Sequence, residues 1–283
     1  MTTPIRHISD TALWVAMYRA FESERADALF RDPYARRLAG DRGEEIVRTI
    51  RRGRSMAWPM IVRTAVMDEI ILRSVGQGVR TVINLAAGLD TRAYRLALPP
   101  ALRWFDVDLP DVIAYRGAQL ADAEPVCVHK DLEADLADAS ALASVLASAR
   151  EGGPALVVTE GLLIYLTDAQ VRSLATAIHR QPETRWWLID LATPLLLKML
   201  SRTWQKDLTV AGTPMQFAPA EGPAFFAPLG WREAEFRATW DESLRLRRGV
   251  PLARLWSVLM RLRSRPVRES FRRMSAVVLL ERV

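Results

Sequence analysis

A run of small residues closing a short apolar strand, followed about 20 positions later by an acid at the end of a second strand, can hold a nucleoside. Thr81 to Leu85 reads as the first strand, Ala86-Ala87-Gly88 as the turn, and Asp106-Val107-Asp108 as the acidic end of the second strand. Small side chains let the backbone pass close beneath a ligand, and Gly88 is free of the usual steric limit on φ. A carboxylate at the end of the second strand can accept hydrogen bonds from both hydroxyls of a ribose. The same residues are also compatible with a plain strand-to-helix turn. Charge narrows the choice of ligand. A pyrophosphate lies on a helix N-terminus behind G-x-G-x-x-G, but here Ala86 takes the first glycine position and Thr91 the third, and the acid Asp90 opens the helix. A carboxylate there would repel a pyrophosphate and suits a ligand that carries positive charge.

These residues need a frame. From Gly78 onward, short β-branched or aromatic runs alternate with helical stretches: Thr81 to Leu85, Arg103 to Val107, Pro125 to His129, Ala155 to Thr159 and Trp186 to Leu191. Such alternation predicts βαβ units, that is, a parallel sheet with helices on both faces. Trp231 to Ala238 and Ser275 to Glu281 add two more strands, for a total of seven. The first 78 residues read as mainly helical. One helix starts near residue 10 with Asp10 as cap, breaks at Asp32-Pro33-Tyr34 and is followed by a short helix over Ala35 to Ala39; another runs over Met60 to Val75 and closes at Gly76-Gln77-Gly78. Leu195 to Phe226, with Trp204, Phe217, Phe225 and Phe226, is too long for a simple connection and reads as an inserted cap. The expected organisation is one domain over 1–283: a helical N-terminal lid region (1–78), an α/β core (79–194 and 227–283) and a cap over the substrate (195–226).

The chain has 283 residues, 50% of them hydrophobic and 25% charged, which is ordinary for a globular protein with a substantial core. No apolar run reaches the roughly 20 residues of a membrane span, and no signal peptide is recognisable at Met1 to Asp10. The lone Cys127 excludes an internal disulfide framework; lying in a predicted strand, it reads as a small core residue. A cytoplasmic protein is expected, with no metal site. The net charge of +6, with clusters at Arg48, Arg51, Arg52 and Arg54 and from Arg261 to Arg273, raises a nucleic-acid function. Solvated arginine-rich helix faces account for the same residues.

Several ordered segments resemble the leucine carboxyl methyltransferase superfamily, in particular its branch of bacterial polyketide O-methyltransferases. They are Thr11-Ala12-Leu13-Trp14 with Tyr18-Arg19-Ala20, Asp32-Pro33-Tyr34-Ala35, Arg63-Thr64, Asn84 to Leu96, Phe105 to Pro110, Asp131-Leu132, and Thr159 to Thr167. The resemblance implies a Rossmann-like class I S-adenosylmethionine-dependent methyltransferase fold, with S-adenosylmethionine as cofactor and S-adenosylhomocysteine as product. It places Arg63 on the methionine carboxylate as a bidentate partner, with Arg19 assisting from the lid. Gly88 resembles the residue that passes under the methionine portion, with Asn84 and Ala86 in the same cofactor-binding set. Asp108, rather than Asp106, resembles the ribose-binding acid, with Asp106 beside it in the cofactor-binding set. Asp131 and Leu132 resemble the adenine pair, and Glu160 with Gly161 the acid and turn near the methionine amine and the transferring methyl. The lesser alternatives are that Asp131 caps a helix, Arg63 faces solvent and Glu160-Gly161 forms a plain turn. One departure stands out, since Ala86 often has glycine in the family.

Methyl transfer from a sulfonium is an in-line displacement, so the protein mainly aligns the reactants and excludes water. A carboxylate acceptor is already ionised near neutral pH, whereas an ordinary phenol, with a pKa near 10, benefits from a base. His179 should sit at the far end of the sheet and His129 near adenine, which leaves His7 as the one histidine placed to serve, with Glu160 and Tyr165 as positioning candidates. The expected activity is therefore O-methylation of a carboxylate or acidic hydroxyl on a small molecule, such as a polyketide-like secondary metabolite. The acceptor is the expected partner, without nucleic acid or membrane, and the protein is expected to be a monomer or homodimer. Alternatives are methylation of a protein C-terminal carboxylate or of nucleic acid, and a non-catalytic cofactor-binding protein. Against nucleic acid, Thr159-Glu160-Gly161-Leu162 stands where amino-methylating enzymes usually carry Asn/Asp-Pro-Pro-Tyr.

Overall fold

The computed structural model describes residues 8–49, 57–148, 152–200, 214–250 and 263–283. Its centre is a sheet of seven strands: β1 (Thr81–Leu85), β2 (Arg103–Asp108), β3 (Val128–Glu133), β4 (Ala155–Thr159), β5 (Thr184–Ala192), β6 (Trp231–Ala238) and β7 (Ser275–Arg282). They lie in the order β3-β2-β1-β4-β5-β7-β6. All are parallel except β7, which runs antiparallel to β5 on one side and β6 on the other. The mostly parallel α/β sheet expected from the strand rhythm is therefore present. Every residue of β1 and β4 is buried, which is why these strands read as unbroken apolar runs: helices cover both faces. Strand order reverses between β1 and β4, and a crevice opens there beyond the strand C-termini.

The helices are α1 (Ile8–Ser23), α2 (Ala35–Thr49), α3 (Trp58–Gly76), α4 (Arg92–Arg95), α5 (Pro110–Gln119), α6 (Ala139–Ala147), α7 (Asp168–His179), α8 (Thr239–Arg245) and α9 (Arg265–Arg272). Several starts follow local chemistry. Pro59 and Pro110 stand in the first turns of α3 and α5, where a missing N–H costs nothing. Thr167 and Gln170 form a reciprocal capping box on α7. One face of the sheet carries a core of Ile83, Val157, Ile178, Trp187 and Phe226; the other packs Val66, Ile70, Trp104 and Leu188. A third cluster, with Trp14, Tyr18, Leu38 and Ile46, joins α1 to α2.

Four expectations need correcting. α1 begins two residues before Asp10, so Asp10 does not cap it; its carboxylate sits in the first turn and pairs with Arg42 of α2 at 2.9 Å. The short helix predicted over Ala35 to Ala39 continues to Thr49 through a kink at Gly40, which has φ 56°. The third strand lies three residues later than predicted, because pairing with β2 begins at Val128↔Arg103 while the Val126 amide bonds to the Ala93 carbonyl at 2.8 Å; Cys127 is buried just ahead of it. Finally, Phe217, Phe225 and Phe226 are core residues, mutually packed edge to face, with Phe226 also against Trp187. Trp204, within 201–213, lies outside the described residues.

The turn after β1 carries a local cost. Ala86 adopts φ 55°, a left-handed conformation disfavoured for a residue with a Cβ by about 1–2 kcal/mol. Glycine would relieve that cost, at an entropic penalty of about 0.5–1 kcal/mol. Ala86→Gly should therefore leave stability unchanged or raise it by up to about 1 kcal/mol. Urea unfolding checks this, and a clear loss of stability would contradict the strain.

Candidate functional site

Beyond the C-terminal ends of β1, β2, β4 and β5 lies a cavity of about 1010 Å³. Asn84, Ala86, Ala87, Gly88 and Asp108 line one side, and Glu160, Gly161, Tyr165 and Asp190 another; α1 and α3 cover it with Thr11, Trp14, Arg19, Trp58, Met60 and Arg63. Apolar side chains of Met199, Met215, Trp240, Phe271 and Met274 also line it.

Asp108 ends β2 with its carboxylate at this wall. One oxygen accepts the Gly88 amide at 2.6 Å and the other the Leu109 amide at 2.8 Å. Each carboxylate oxygen has two acceptor sites, so each keeps one for a ligand hydroxyl. Burial raises the Asp108 pKa above the ordinary carboxylate range, against the two amide bonds that lower it. Gly88, with φ 56°, supplies the turn that delivers its amide to Asp108.

Asp106, two residues earlier, takes a different part from the one expected. It is 1% exposed, and its oxygens accept from Asn84 Nδ2 (2.8 Å) and Trp104 Nε1 (2.8 Å), lie 2.9 Å from His129 Nε2 and face the Arg116 guanidinium at 3.1 Å. It is saturated inside the protein and does not line the cavity. Asn84 does line it, yet its amide is spent on Asp106 and Asp90. Asp131 pairs with Arg116, and Leu132 packs on the opposite face of the sheet; neither is among the cavity residues.

Arg63, one turn into α3, meets the loop after β4. Its Nε donates to Glu160 at 2.9 Å and its Nη1 to Asp190 at 3.0 Å, which leaves Nη2 without a partner among the described residues. The bidentate grip expected of Arg63 is thus already used on the protein's own carboxylates, and one nitrogen remains for a ligand. Glu160 is shared, its second oxygen meeting Arg92 Nη2 at 2.8 Å. Burial raises its pKa, but Arg92 and Arg63 outweigh this and hold it below its ordinary value. Arg92, 3% exposed, also contacts Asp68 of α3 at 2.6 Å and Asp90 at 2.5 Å. Arg95 binds Asp68 at 2.7 Å. Arg19 donates to Asp32 at 2.8 Å and to the Leu89 carbonyl at 2.5 Å, so this arginine braces the turn and is not free to grip a ligand by those nitrogens.

Tyr165 lines the cavity, and burial pushes its hydroxyl up to about 12. That hydroxyl has no hydrogen-bond partner among the described residues. His129 belongs to the Asp106 cluster, with Tyr94 edge-on to its ring. His179 packs on Trp231, away from the cavity. His7 lies outside the described residues. Sequence reasoning missed Asp190 and Asp68. Asp190 interrupts an apolar strand near its C-terminal end, where ligands bind in parallel sheets, and that position was the available signal.

The strand order and the carboxylate-lined crevice are those of the class I S-adenosylmethionine-dependent methyltransferases. Residues 12–179 match the leucine carboxyl methyltransferase family, and the chain belongs to that family. A protein of Streptomyces coelicolor with the provisional name S-adenosyl-L-methionine-dependent methyltransferase is 37% identical over 187 residues, 60% of this chain and 64% of that one. One of the same provisional name from Parafrankia is 33% identical over 263 residues, 86% of this chain and 83% of that one. The chain thus spans under two thirds of the first relative. Among solved structures, a provisionally named methyltransferase from Thermobifida fusca shares the fold at a TM-score of 0.59 and 16% identity, covering 99% of this chain and 96% of that one. A family protein of unassigned function from Streptomyces avermitilis also scores 0.59, at 12% identity over 95% and 97%.

The ion network predicts an acid response. Burial works to raise the Asp90 pKa, but Arg92, with Arg19 and Arg95, brings it from 3.8 down to about 2. A depressed carboxylate pKa contributes stability in full above the unfolded value, and that contribution is lost as pH falls through the folded one. The stability due to Asp90 should be intact above 3.8 and disappear toward 2. Unfolding midpoints of wild type and Asp90→Asn should therefore converge on acidification through this window; a constant gap would contradict the assignment.

Proposed function

We propose that the protein is an S-adenosylmethionine-dependent O-methyltransferase acting on a carboxylate or acidic hydroxyl of a small, largely apolar molecule, such as a polyketide-like metabolite. The observation that carries the cofactor reading is Asp108, anchored by two backbone amides with an acceptor site left on each oxygen at the cavity wall. Charge supports it. Around the turn, the guanidiniums of Arg19, Arg63, Arg92 and Arg95 pair with the carboxylates of Asp32, Asp68, Asp90, Glu160 and Asp190, and Asp108 adds a carboxylate held by backbone amides alone. The acids outnumber the bases, which favours a ligand with a sulfonium and an ammonium against a single carboxylate.

Bound there, S-adenosylmethionine supplies an electrophilic methyl group and leaves as S-adenosylhomocysteine. The chain's own residues do the rest. Asp108 holds the ribose hydroxyls, Gly88 and Ala86 provide the close backbone floor, and Arg63 Nη2 takes the methionine carboxylate. The apolar walls from Trp14, Trp58, Met60, Met199 and Trp240 exclude water and receive the acceptor. Tyr165 remains protonated at neutral pH, so its hydroxyl acts as a donor that orients an acceptor oxygen and not as a base. No histidine is among the described residues that line the cavity. An acceptor that is already ionised fits such a wall better than an ordinary phenol.

Methyl transfer to a panel of aromatic carboxylates, acidic phenols and ordinary phenols tests this. Carboxylates or acidic phenols should be methylated, and Tyr165→Phe should lower turnover by about fivefold, as for one neutral hydrogen bond of about 1 kcal/mol. Activity confined to ordinary phenols, with a sharp loss in His7→Ala, would contradict the proposal.

A further inference from the structure

Arg63 is held on two of its three nitrogens before any ligand arrives, and the manner of holding points to a residue with no role assigned so far. A guanidinium is planar and its N–H directions are fixed relative to one another. Anchoring Nε on Glu160 and Nη1 on Asp190 therefore fixes the plane, and with it the direction in which Nη2 points.

Asp190 is itself constrained from three sides. Its backbone lies in β5, in register with Val277 of β7 on one side, while Ile189 beside it is in register with Thr159 of β4 on the other. Its Oδ1 accepts the Gly161 amide at 2.6 Å, which stops the carboxylate from turning and presents Oδ2 to Arg63. Gly161 has φ 68°, and a Cβ there would lie 3.3 Å from Arg63 Nη1, so the turn closes directly on the guanidinium. An aspartate is required by this arrangement because both neighbours are donors. An asparagine would have to set its own NH2 against one of them.

We infer that Asp190 is a positioning residue, which with the Gly161 amide aims Arg63 Nη2 at the carboxylate of an amino-acid-bearing nucleoside. The inference rests on the methyltransferase reading above and adds to it the residue that sets the methionine end of the site. Asp190 acts through Arg63 and need not touch the ligand, which separates its role from that of Asp108 at the ribose end.

The competing explanation is that Asp190 merely holds the β4 turn together, in which case its loss would weaken every ligand alike. Truncating the ligand separates the two. S-adenosylhomocysteine carries the amino-acid carboxylate, whereas 5′-methylthioadenosine keeps the nucleoside and thioether without it. In calorimetric titrations, Asp190→Asn should weaken S-adenosylhomocysteine by about ten- to a hundredfold, the worth of a hydrogen bond to a charged group, and leave 5′-methylthioadenosine within about twofold. Asp190→Glu, which keeps the charge but displaces it, should show the same selectivity to a smaller degree and serves if the asparagine variant fails to fold. In an Arg63→Met background, Asp190→Asn should have no further effect on S-adenosylhomocysteine, because the two residues act as one unit. Equal weakening of both ligands, or of neither, would overturn the inference. A wild-type protein that binds neither nucleoside would overturn the methyltransferase reading along with it.

Discussion

A guanidinium that is 3% exposed must find carboxylates, and Arg92 finds three: Asp68 on α3, Asp90 in the turn after β1 and Glu160 after β4. Breaking such a buried set by removing one partner leaves an uncompensated charge, at a cost of about 3–5 kcal/mol. The rest of the site is arranged around that requirement. Glu160, held by Arg92, can hold Arg63; Asp68, held by Arg92, can hold Arg95; and Arg19 with Asp32 ties the N-terminal helices to the same turn. Helices, turn and strand ends are thus joined by charge at the floor of the cavity.

This arrangement has a consequence for ligand choice. A site built from interlocked acids and arginines, with the acids in excess, has little free positive charge with which to recruit a strongly anionic ligand. What it leaves exposed among the described residues is selective: two acceptor sites on Asp108, one nitrogen on Arg63 and the hydroxyl of Tyr165, beside tryptophan and methionine side chains of the same wall. A nucleoside with a zwitterionic tail suits the first two, and an apolar acceptor with one reactive oxygen suits the last.

The extent to which the sequence disclosed this differs by element, for physical reasons. β1 and β4 were legible because helices cover both faces and leave continuous β-branched runs. β3 was displaced in the reading because it is an edge strand of mixed polarity, Val128-His129-Lys130-Asp131-Leu132-Glu133, preceded by a more apolar segment that does not pair with β2. At the site, Asp108, Gly88, Arg63 and Glu160 were legible from local motifs. The choice between Asp106 and Asp108 turned on burial, since Trp104, Arg116 and His129 close around the first and leave the second at the cavity. Asp190 had no local motif, because its meaning comes from Arg63, 127 residues away. Asp68 reads as an ordinary helix residue until Arg92 and Arg95 fold against it. Arg19 lines the cavity as its motif implies, and two of its nitrogens also brace the turn through Asp32 and Leu89.

The central claim is that the cavity at the ends of β1, β2 and β4 accepts a positively charged adenosine cofactor and rejects a pyrophosphate dinucleotide. Calorimetric titration of the wild-type protein with S-adenosylmethionine and, separately, with NAD tests it most directly. Saturable binding of S-adenosylmethionine and none of NAD is the expected result; binding of NAD without S-adenosylmethionine would contradict it.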